Sequence, residues 1–318
     1  MTIKGLDFTS PFFLAPLAGY TDTAFRRIAH EWGSAAEVTE MVSAEGLARG
    51  GEATEALLDR YPGEDRLIVQ LFAPDEDPIA RCLERLMRHE PAIIDLNCGC
   101  PVNKVVRTGA GSALMRTPEV MGRMVKLLVR ETALPVSVKF RLGWDRESVN
   151  YLDFARIALD NGASMLTLHA RTRSQMYSGK ADWSAIARLK EATKDSGAAI
   201  FASGDILSAH DAVSVMQQTG CDGVMLARGA IGRPFIFKEC AALMAGEVWE
   251  PSVQERKACL MRHLDYMIEH SGEAVACREM RKHAIGYVKG LAGASRVKAA
   301  VNAAMTRADY EEAVSLIG

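Results

Sequence analysis

Short runs of β-branched and apolar residues recur along the first 226 residues, and a stretch with helical periodicity separates each run from the next. The runs cover residues 12–16, 36–39, 67–71, 93–96, 136–140, 165–168, 199–202 and 223–226. Between the runs, apolar residues are spaced three or four apart, as in Ile79, Leu83 and Leu86, which is typical of amphipathic helices. Eight strand-then-helix units over about 230 residues predict an α/β fold of the (β/α)₈ TIM-barrel class rather than a doubly wound sheet.

The pattern changes after Pro251. Strand runs stop there, and helical spacing continues alone, as in Met280, His283 and Tyr287. The segment 245–252 contains few apolar residues and marks the predicted boundary. The sequence therefore predicts a barrel domain over residues 1–245 and a small helical-bundle domain over residues 252–318.

The composition of the 318 residues, 48% hydrophobic and 25% charged, excludes a disordered or fibrous protein. No apolar stretch approaches the roughly 18 residues of a membrane helix, and the first ten residues lack the apolar region of a secretion signal. We therefore expect a cytoplasmic protein with no membrane partner. The seven cysteines show no regular spacing, which favours thiols over disulfides. The net charge of -2 predicts no bulk attraction to nucleic acid but allows a local basic face.

Candidate chemistry follows the predicted strands, because the active site of a TIM barrel lies on the loops after them. Polar side chains, glycine or proline follow seven of the eight runs. In the fifth run, alternation places Ser137, Lys139 and Arg141 on one face. Two cations inside a barrel would cost several kcal/mol unless paired, and nearby strand ends offer few carboxylates. An anionic ligand is the simplest explanation. The alternative is a reversed alternation, with both cations solvated between strand and helix.

The loops after the last two strands often bind phosphate through backbone N–H groups. Ser203, Gly204 and Asp205 in one loop, and Arg228 and Gly229 in the other, include the small residues that this requires. A phosphate there and an electron-rich ring beside Lys139 would suit flavin mononucleotide (FMN). A sugar phosphate fits the phosphate site equally well, and simple turn geometry also explains the glycines.

Cys98 and Cys100 form a C-x-C pair, but the chain has no C-x-x-C and no paired histidine motif, so no metal site is predicted. Cys100 lies between Gly99 and Pro101 in a loop over the barrel mouth, where we expect an exposed thiol. A thiol with a pKa of about 8.5 is mostly protonated at neutral pH. The sequence favours Cys100 as a catalytic proton donor or nucleophile, with a structural cysteine as the alternative.

Residues 278–307 contain seven lysines and arginines against one acid. Three of the cations, Arg278, Arg281 and Lys282, share one helical face. The segment 96–118 adds three further cations and no acid. Two basic regions predict a long substrate that carries phosphates, although a merely solvated helix face is the alternative.

Seven ordered motifs resemble those of the tRNA dihydrouridine synthase family, nearest its bacterial B-type branch. They lie at residues 16–22 (PLAGYTD), 69–71 (VQL), 95–101 (DLNCGCP), 138–141 (VKFR), 168–173 (LHARTR), 203–206 (SGDI) and 228–234 (RGAIGRP). The likeness runs through the whole barrel and into residues 278–287. It implies an FMN enzyme that uses NADPH to reduce the 5,6 double bond of selected D-loop uridines in tRNA, with no obligatory protein partner.

The resemblance also implies roles for the matching positions. The flavin ring would lie against Pro16, Leu17 and Ala18, and its pyrimidine side would form hydrogen bonds with Gln70 and Lys139. His169 would contact the cofactor near its phosphate. The phosphate itself would be held by Ser203, Gly204, Asp205, Ala227 and Arg228. Cys100 would give a proton to uracil C5 while the reduced flavin N5 delivers hydride to C6. The family usually has asparagine where this chain has Ser203, which puts that side-chain contact in doubt.

Substrate contacts implied by the resemblance involve Asn97 and Arg141 at the ring and base, and Arg171 at the substrate. The cations Arg278, Arg281 and Lys282 would bind RNA phosphates while a uridine is flipped into the barrel. Two other functions stay open. A flavin oxidoreductase acting on a free pyrimidine would have no use for the basic tail, and a non-catalytic RNA-binding barrel would not need seven polar strand ends.

Overall fold

Eight parallel strands form a barrel in the computed structural model, which describes residues 1–317. A short hairpin, β1 (Thr2–Ile3) and β2 (Leu6–Asp7), precedes it. The barrel strands are β3 (Phe12–Leu14), β4 (Val42–Ser43), β5 (Ile68–Phe72), β6 (Ile93–Cys98), β7 (Val136–Arg141), β8 (Met165–His169), β9 (Ala199–Ser203) and β10 (Gly223–Leu226). Hydrogen bonding joins β4 through β10 in chain order, and β10 pairs with β3. The predicted TIM-barrel class is confirmed.

The predicted second strand, residues 36–39, closes the barrel through two isolated parallel bridges rather than a ladder. Glu37 bridges to Leu14 on β3, and Val38 bridges to Ile68 on β5. The ladder stops there because the Thr39 hydroxyl accepts a hydrogen bond from the Gln70 backbone N–H at 3.1 Å, where a backbone carbonyl would otherwise accept. Regular pairing resumes only at β4, three residues farther along the chain.

Helices cover the outside of the barrel. They are α1 (Thr23–Glu31), α2 (Ala44–Ala48), α3 (Glu52–Glu55), α4 (Glu76–Met87), α5 (Asn103–Val106), α6 (Pro118–Glu131), α7 (Tyr151–Asp160), α8 (Trp183–Ala192), α9 (Ala209–Thr219) and α10 (Ile236–Met244). Two 3₁₀ turns, Ala56–Leu58 and Gly111–Arg116, lie in the connections. The outward side chains of β7, Val138 and Phe140, are fully buried against this layer. The alternation predicted for β7 is therefore the observed one, and Lys139 faces the barrel interior.

The barrel interior is apolar at its lower end and polar at its upper end. The lower part is filled by Phe13, Ile68, Ile93, Met165, Phe201 and Met225. Residues Ile3 and Phe8 from the amino-terminal segment join the same cluster and close the bottom. Because the lower interior is packed solid, space for a ligand remains only at the carboxyl ends of the strands.

Four further helices follow the barrel: α11 (Val253–Ser271), α12 (Glu273–Tyr287), α13 (Ala294–Ala303) and α14 (Arg307–Ser315). They dock on α1, where the Phe25 ring stacks on His263 with centroids 5.5 Å apart. The segment 245–252 links α10 to α11, where the sequence predicts a boundary, and the last residue of that predicted domain, Gly318, lies outside the described residues. No helix within residues 1–317 combines the length and apolar character needed to cross a membrane.

Two glycines let the tail helices approach the barrel mouth. A Cβ added to Gly286 on α12 would lie 2.3 Å from the Ile231 carbonyl oxygen in the loop after β10. A Cβ added to Gly232 in that loop, where φ is +61°, would lie 2.1 Å from the His283 carbonyl oxygen. Backbone therefore packs directly on backbone, and α12 sits beside the loops at the carboxyl end of the barrel.

Candidate functional site

A cavity of about 500 Å³ opens at the carboxyl ends of the strands. Its walls include all eleven positions predicted to contact a cofactor: Pro16, Leu17, Ala18, Gln70, Lys139, His169, Ser203, Gly204, Asp205, Ala227 and Arg228. Asn97, Cys100 and Arg141 also line it. Residues from seven strand ends, far apart in the sequence, thus meet around one space.

Lys139 projects into this cavity from β7. Burial, reinforced by the neighbouring Arg141 charge, lowers the pKa of Lys139 to about 8, while the charge of Asp95 acts in the opposite direction. No carboxylate within residues 1–317 forms a salt bridge with its ammonium group. An ammonium group that faces a cavity without a direct partner is well suited to an anionic or electron-rich ligand.

The expectation of few carboxylates near these cations misses Asp95. This residue is fully buried on β6, in register with Ser137 on β7 and one layer below Lys139. It lies inside the strand rather than after it, so a search of the strand ends does not find it. The alternation of Ile93, Asp95 and Asn97 is the sequence signal that places it on the interior face.

A chain of hydrogen bonds runs from Asp95 to the loop that carries Cys100. Gln70 Nε2 donates to Asp95 Oδ2 at 2.6 Å, and Asn97 Nδ2 donates to Gln70 Oε1 at 2.7 Å. Asn97 Oδ1 in turn accepts from the backbone N–H groups of Gly99, at 3.2 Å, and Cys100, at 2.9 Å. The polar floor of the cavity and the cysteine loop are therefore one connected unit.

Cys100 is less accessible than the sequence suggests. It is only 9% exposed, because it packs against Val105 and Ala110 where the chain returns under the loop. Burial raises the pKa of its thiol above the ordinary value, although Arg141 and Lys139 partly oppose this. The group remains in the cavity wall, mostly protonated at neutral pH, and can act as an acid. Cys98 is the last residue of β6, and its side chain faces the outer core and is fully buried.

Arg141 supports the mouth from β7, the strand next to β6 and its cysteine loop. Its guanidinium donates to the carbonyl oxygens of Gly99 at 2.7 Å, Thr172 at 2.9 Å and Met176 at 3.1 Å. Burial lowers the pKa of Arg141 to about 10, so it stays charged at neutral pH. Arg141 thus ties the cysteine loop to the loop after β8 while its charge borders the cavity.

The loops after β9 and β10 form a cradle for an anion. Gly204 and Asp205 both have positive φ, 107° and 55°, and the backbone N–H groups of Gly204, Asp205 and Arg228 have no hydrogen-bond partner within residues 1–317. The Asp205 carboxylate is occupied by Arg171, by the Ala181 N–H at 2.9 Å and by Arg228 at 3.4 Å. Asp205 therefore offers its N–H, not its carboxylate, which suits a phosphate.

Two further side chains at this end are available to a ligand. His169 Nε2 is buried and has no partner within the described chain. Burial lowers the pKa of His169 well below its usual range, and the cations Arg141 and Lys139 lower it further, so the ring is neutral. The Ser203 hydroxyl lines the cavity without a hydrogen-bond partner in residues 1–317. Both groups fit the phosphate end of a cofactor such as FMN.

Arg171 differs from the other predicted residues because it does not border the cavity. It is 1% exposed and donates to Asp205 and to the carbonyl oxygens of Ser178 and Gly179. It thus holds the phosphate-cradle loop from behind. A contact between Arg171 and a substrate stays a prediction.

The three tail cations lie on α12 but differ in their surroundings. The Arg278 side chain is 64% exposed. Lys282 lies 5.3 Å from the ring centroid of Tyr20, which lines the cavity, and pairs with Glu279 at 2.6 Å. Arg281 instead donates to the Ala304 carbonyl oxygen at 2.9 Å. Lys282 thus lies at the cavity rim, Arg278 is open to solvent on the same helix, and Arg281 links tail helices.

Two aromatic residues of the wall have no role assigned from the sequence, although Tyr20 lies in the motif at residues 16–22. Tyr20 and Tyr177 both line the cavity, and the Arg228 guanidinium lies 5.0 Å from the Tyr177 ring centroid. Tyr177 is in an irregular loop after β8, where neither strand nor helix periodicity applies. Its position depends on how that loop folds over the mouth.

Comparisons with known proteins agree with this geometry. Residues 13–316 match the family model described as dihydrouridine synthase. The chain is 37% identical over 301 residues to a probable tRNA-dihydrouridine synthase of Treponema pallidum (strain Nichols), covering 92% of this chain and 88% of that protein. It is 34% identical over 293 residues to tRNA-dihydrouridine synthase B of Pasteurella multocida (strain Pm70), covering 92% and 87%.

Solved structures share the fold at lower sequence similarity. A mandelate oxidase variant with (S)-mandelic acid aligns with a TM-score of 0.50 at 18% identity, covering 87% of this chain and 77% of that one. The same TM-score and identity hold for a mandelate oxidase variant with a monooxide FMN adduct, covering 87% and 78%. These likenesses show the barrel alone.

Proposed function

The chain belongs to the dihydrouridine synthase family, and from this premise we propose that it uses FMN and NADPH to reduce the 5,6 double bond of specific D-loop uridines in tRNA. One observation carries the proposal: a buried thiol, a lysine without a direct partner and an anion cradle line a single cavity at the barrel mouth. A thiol that is protonated at neutral pH is a proton donor. A phosphate cradle beside a cation matches a phosphorylated redox ring.

The cofactor would lie along the cavity with its phosphate on the N–H groups of Gly204, Asp205 and Arg228. Its ring would rest against residues 16–18, with Gln70 and Lys139 at the pyrimidine edge. When bound, FMN supplies hydride transfer from N5, replenished by NADPH. Lys139 would stabilise negative charge that develops at the pyrimidine edge.

Cys100 would protonate C5 of the uracil while hydride arrives at C6. The Asn97 side chain holds the backbone N–H of Cys100, and Arg141 holds the carbonyl of Gly99. The cysteine loop is therefore fixed from both sides, which keeps the thiol directed at the substrate position. We assign Asn97 and Arg141 to this positioning and to contact with the base.

A uridine inside the barrel must first leave the folded RNA, which costs a few kcal/mol of stacking. Phosphate contacts on the tail helices would offset this cost. Arg278 is exposed and Lys282 reaches the cavity rim at Tyr20, so RNA bound on α12 would lie over the mouth. We therefore assign residues 1–245 to catalysis and residues 252–318 to tRNA binding.

The proposal is tested with purified protein. We expect visible flavin absorbance that is lost on anaerobic addition of NADPH and restored by tRNA from cells lacking this protein. Nucleoside mass spectrometry should then find dihydrouridine at D-loop positions of that tRNA. Reduction of free uracil or uridine with tRNA left unchanged would instead identify an oxidoreductase of free pyrimidines, and protein that contains and binds no flavin would rule out the enzyme.

Replacement of the two α12 cations assigned to RNA contact, Arg278 and Lys282, should weaken tRNA binding. We expect the double variant Arg278→Ala with Lys282→Ala to reduce the slope of log affinity against log salt by about 2, one for each RNA phosphate that the variant no longer neutralises. NADPH-driven flavin reduction without tRNA should not change. Arg281 is left in place because it bonds the Ala304 carbonyl.

The matched control removes two cations from the other end of the barrel. Lys126 and Arg130 are on α6, near the start of β7 and away from the mouth. Their replacement by alanine should leave the salt slope at the wild-type value. An equal loss of affinity in both double variants would show that the tail contributes only general charge.

A further inference from the structure

We propose that Asp95 is a positioning residue that, through Gln70 and Asn97, sets the direction of the Cys100 thiol. It acts below the cavity rather than in it, since Asp95 is fully buried and does not line the cavity wall. The proposal rests on the proposed function, because it concerns the residue that would donate the proton. It adds a buried group directly below the cavity that a search of strand ends overlooks.

The direction of each amide in the chain follows from its fixed end. Backbone N–H groups only donate, so the atom of Asn97 that faces Gly99 and Cys100 must be its oxygen. The Asn97 nitrogen then faces Gln70, and the atom that receives its hydrogen bond at 2.7 Å must be the Gln70 oxygen. The Gln70 nitrogen is left pointing downward and requires an acceptor.

Asp95 is that acceptor. Its Oδ2 receives the Gln70 Nε2 hydrogen bond at 2.6 Å, and its Oδ1 receives the Ser137 hydroxyl. Both carboxylate oxygens are thus used as acceptors, each by a side chain from a neighbouring strand. With this acceptor in place, the chain from Asp95 to Cys100 has one consistent set of donors and acceptors.

Removal of the acceptor releases this constraint. Without an acceptor below it, the buried Gln70 Nε2 would lose its hydrogen bond, and the amide would no longer be held in a single orientation. The rotated amide would present its nitrogen to the Asn97 nitrogen, two donors that repel each other. Asn97 would then lose its support, and with it the anchor on the Cys100 backbone N–H.

Asp95 also supplies the buried negative charge nearest to Lys139. In the register of β6 and β7, Asn97 faces Lys139 and Asp95 faces Ser137, so the carboxylate lies one pair below the ammonium group. The positioning role of Asp95 depends on where its carboxylate oxygens accept hydrogen bonds, whereas its effect on Lys139 depends on its negative charge. Two substitutions at the same position separate them.

Asp95→Asn keeps the geometry and removes the charge, because an asparagine oxygen can accept from Gln70 while its nitrogen donates to the Ser137 hydroxyl. Asp95→Ala removes the acceptor itself. We expect the alanine variant to lower kcat for dihydrouridine formation by about 10- to 100-fold, as a thiol misplaced by about 1 Å would. The KM for tRNA should stay unchanged, and the asparagine variant should recover most of kcat.

A second measurement reports the thiol without tRNA turnover. The rate at which iodoacetamide alkylates Cys100, identified by peptide mass spectrometry, should change in Asp95→Ala and return to wild type in Asp95→Asn. Thr167→Val, which alters a buried hydroxyl on β8 outside this chain of hydrogen bonds, should leave both kcat and alkylation as in wild type.

An alanine variant with wild-type kcat and alkylation rate would overturn the proposal, as would an asparagine variant as impaired as the alanine one. The alkylation rates also separate this proposal from the proposed function. Wild-type protein that forms no dihydrouridine would refute the function, while the altered alkylation of Cys100 in Asp95→Ala would still support the positioning role.

Discussion

Cys100→Ala is expected to lower the rate of dihydrouridine formation in tRNA by about 10²- to 10⁴-fold, the usual contribution of a general acid. The reason is that the thiol faces the cavity and burial raises its pKa, so it carries a proton at neutral pH. Flavin content and anaerobic flavin reduction by NADPH should be unchanged, because neither step requires a proton on uracil C5. The measurement is single-turnover reduction of tRNA followed by nucleoside mass spectrometry.

The neighbouring Cys98→Ala is the matched control, since it removes a thiol that faces the outer core instead of the cavity. It should lower thermal stability while flavin-dependent activity persists. Because the proposed proton donor is the protonated form of Cys100, the wild-type rate should fall only as the pH rises above the ordinary thiol range. Wild-type turnover in Cys100→Ala would remove the thiol from the mechanism.

The fold follows from the sequence because strand and helix periods differ clearly in most of the barrel. The exception, residues 36–39, has the composition of a strand yet forms single bridges. The cause is the Thr39 hydroxyl, which takes a backbone N–H of β5. A side chain that substitutes for a backbone partner in this way leaves no mark on the hydrophobic pattern, so the length of the ladder could not be predicted.

Most of the residues that line the cavity could also be predicted from the sequence, because the carboxyl ends of parallel strands meet at one end of a barrel. The contacts within the site were not. Arg171 follows β8, yet its partner Asp205 follows β9, so its turn away from the cavity depends on pairing between two loops. Cys100 is covered because Val105 and Ala110 return beneath it. Both outcomes depend on long-range packing that periodicity does not encode.

Lys139→Met is expected to slow NADPH-driven flavin reduction by about 10²- to 10³-fold, the effect typical of removing a group that stabilises developing negative charge. Methionine keeps a chain of similar length in the cavity wall, so the barrel should still fold. The pKa of Lys139 is lowered to about 8, and only the cationic form supplies the charge. Bound FMN raises this pKa, so the wild-type reduction rate should fall only as the pH rises above about 8, and Lys139→Met should lack this inflection.

The same residue makes a prediction about stability that does not involve turnover. In flavin-free protein the folded-state pKa of Lys139, about 8, lies below its ordinary value of 10.5. Between these pH values the unfolded chain binds more protons than the folded one, so stability rises with pH across this window. The melting temperature of wild type should therefore increase relative to that of Lys139→Met between pH 8 and pH 10.5.

Lys139→Arg provides the control, because arginine stays charged across the whole window and should lack the rise while retaining part of the reduction rate. Saturating FMN should weaken the rise in wild type, since an anionic ligand beside the ammonium group raises the pKa of Lys139 towards its ordinary value. Parallel melting curves for wild type and Lys139→Met at every pH would show that the lysine is not desolvated. The cavity would then offer the flavin ring no buried cation.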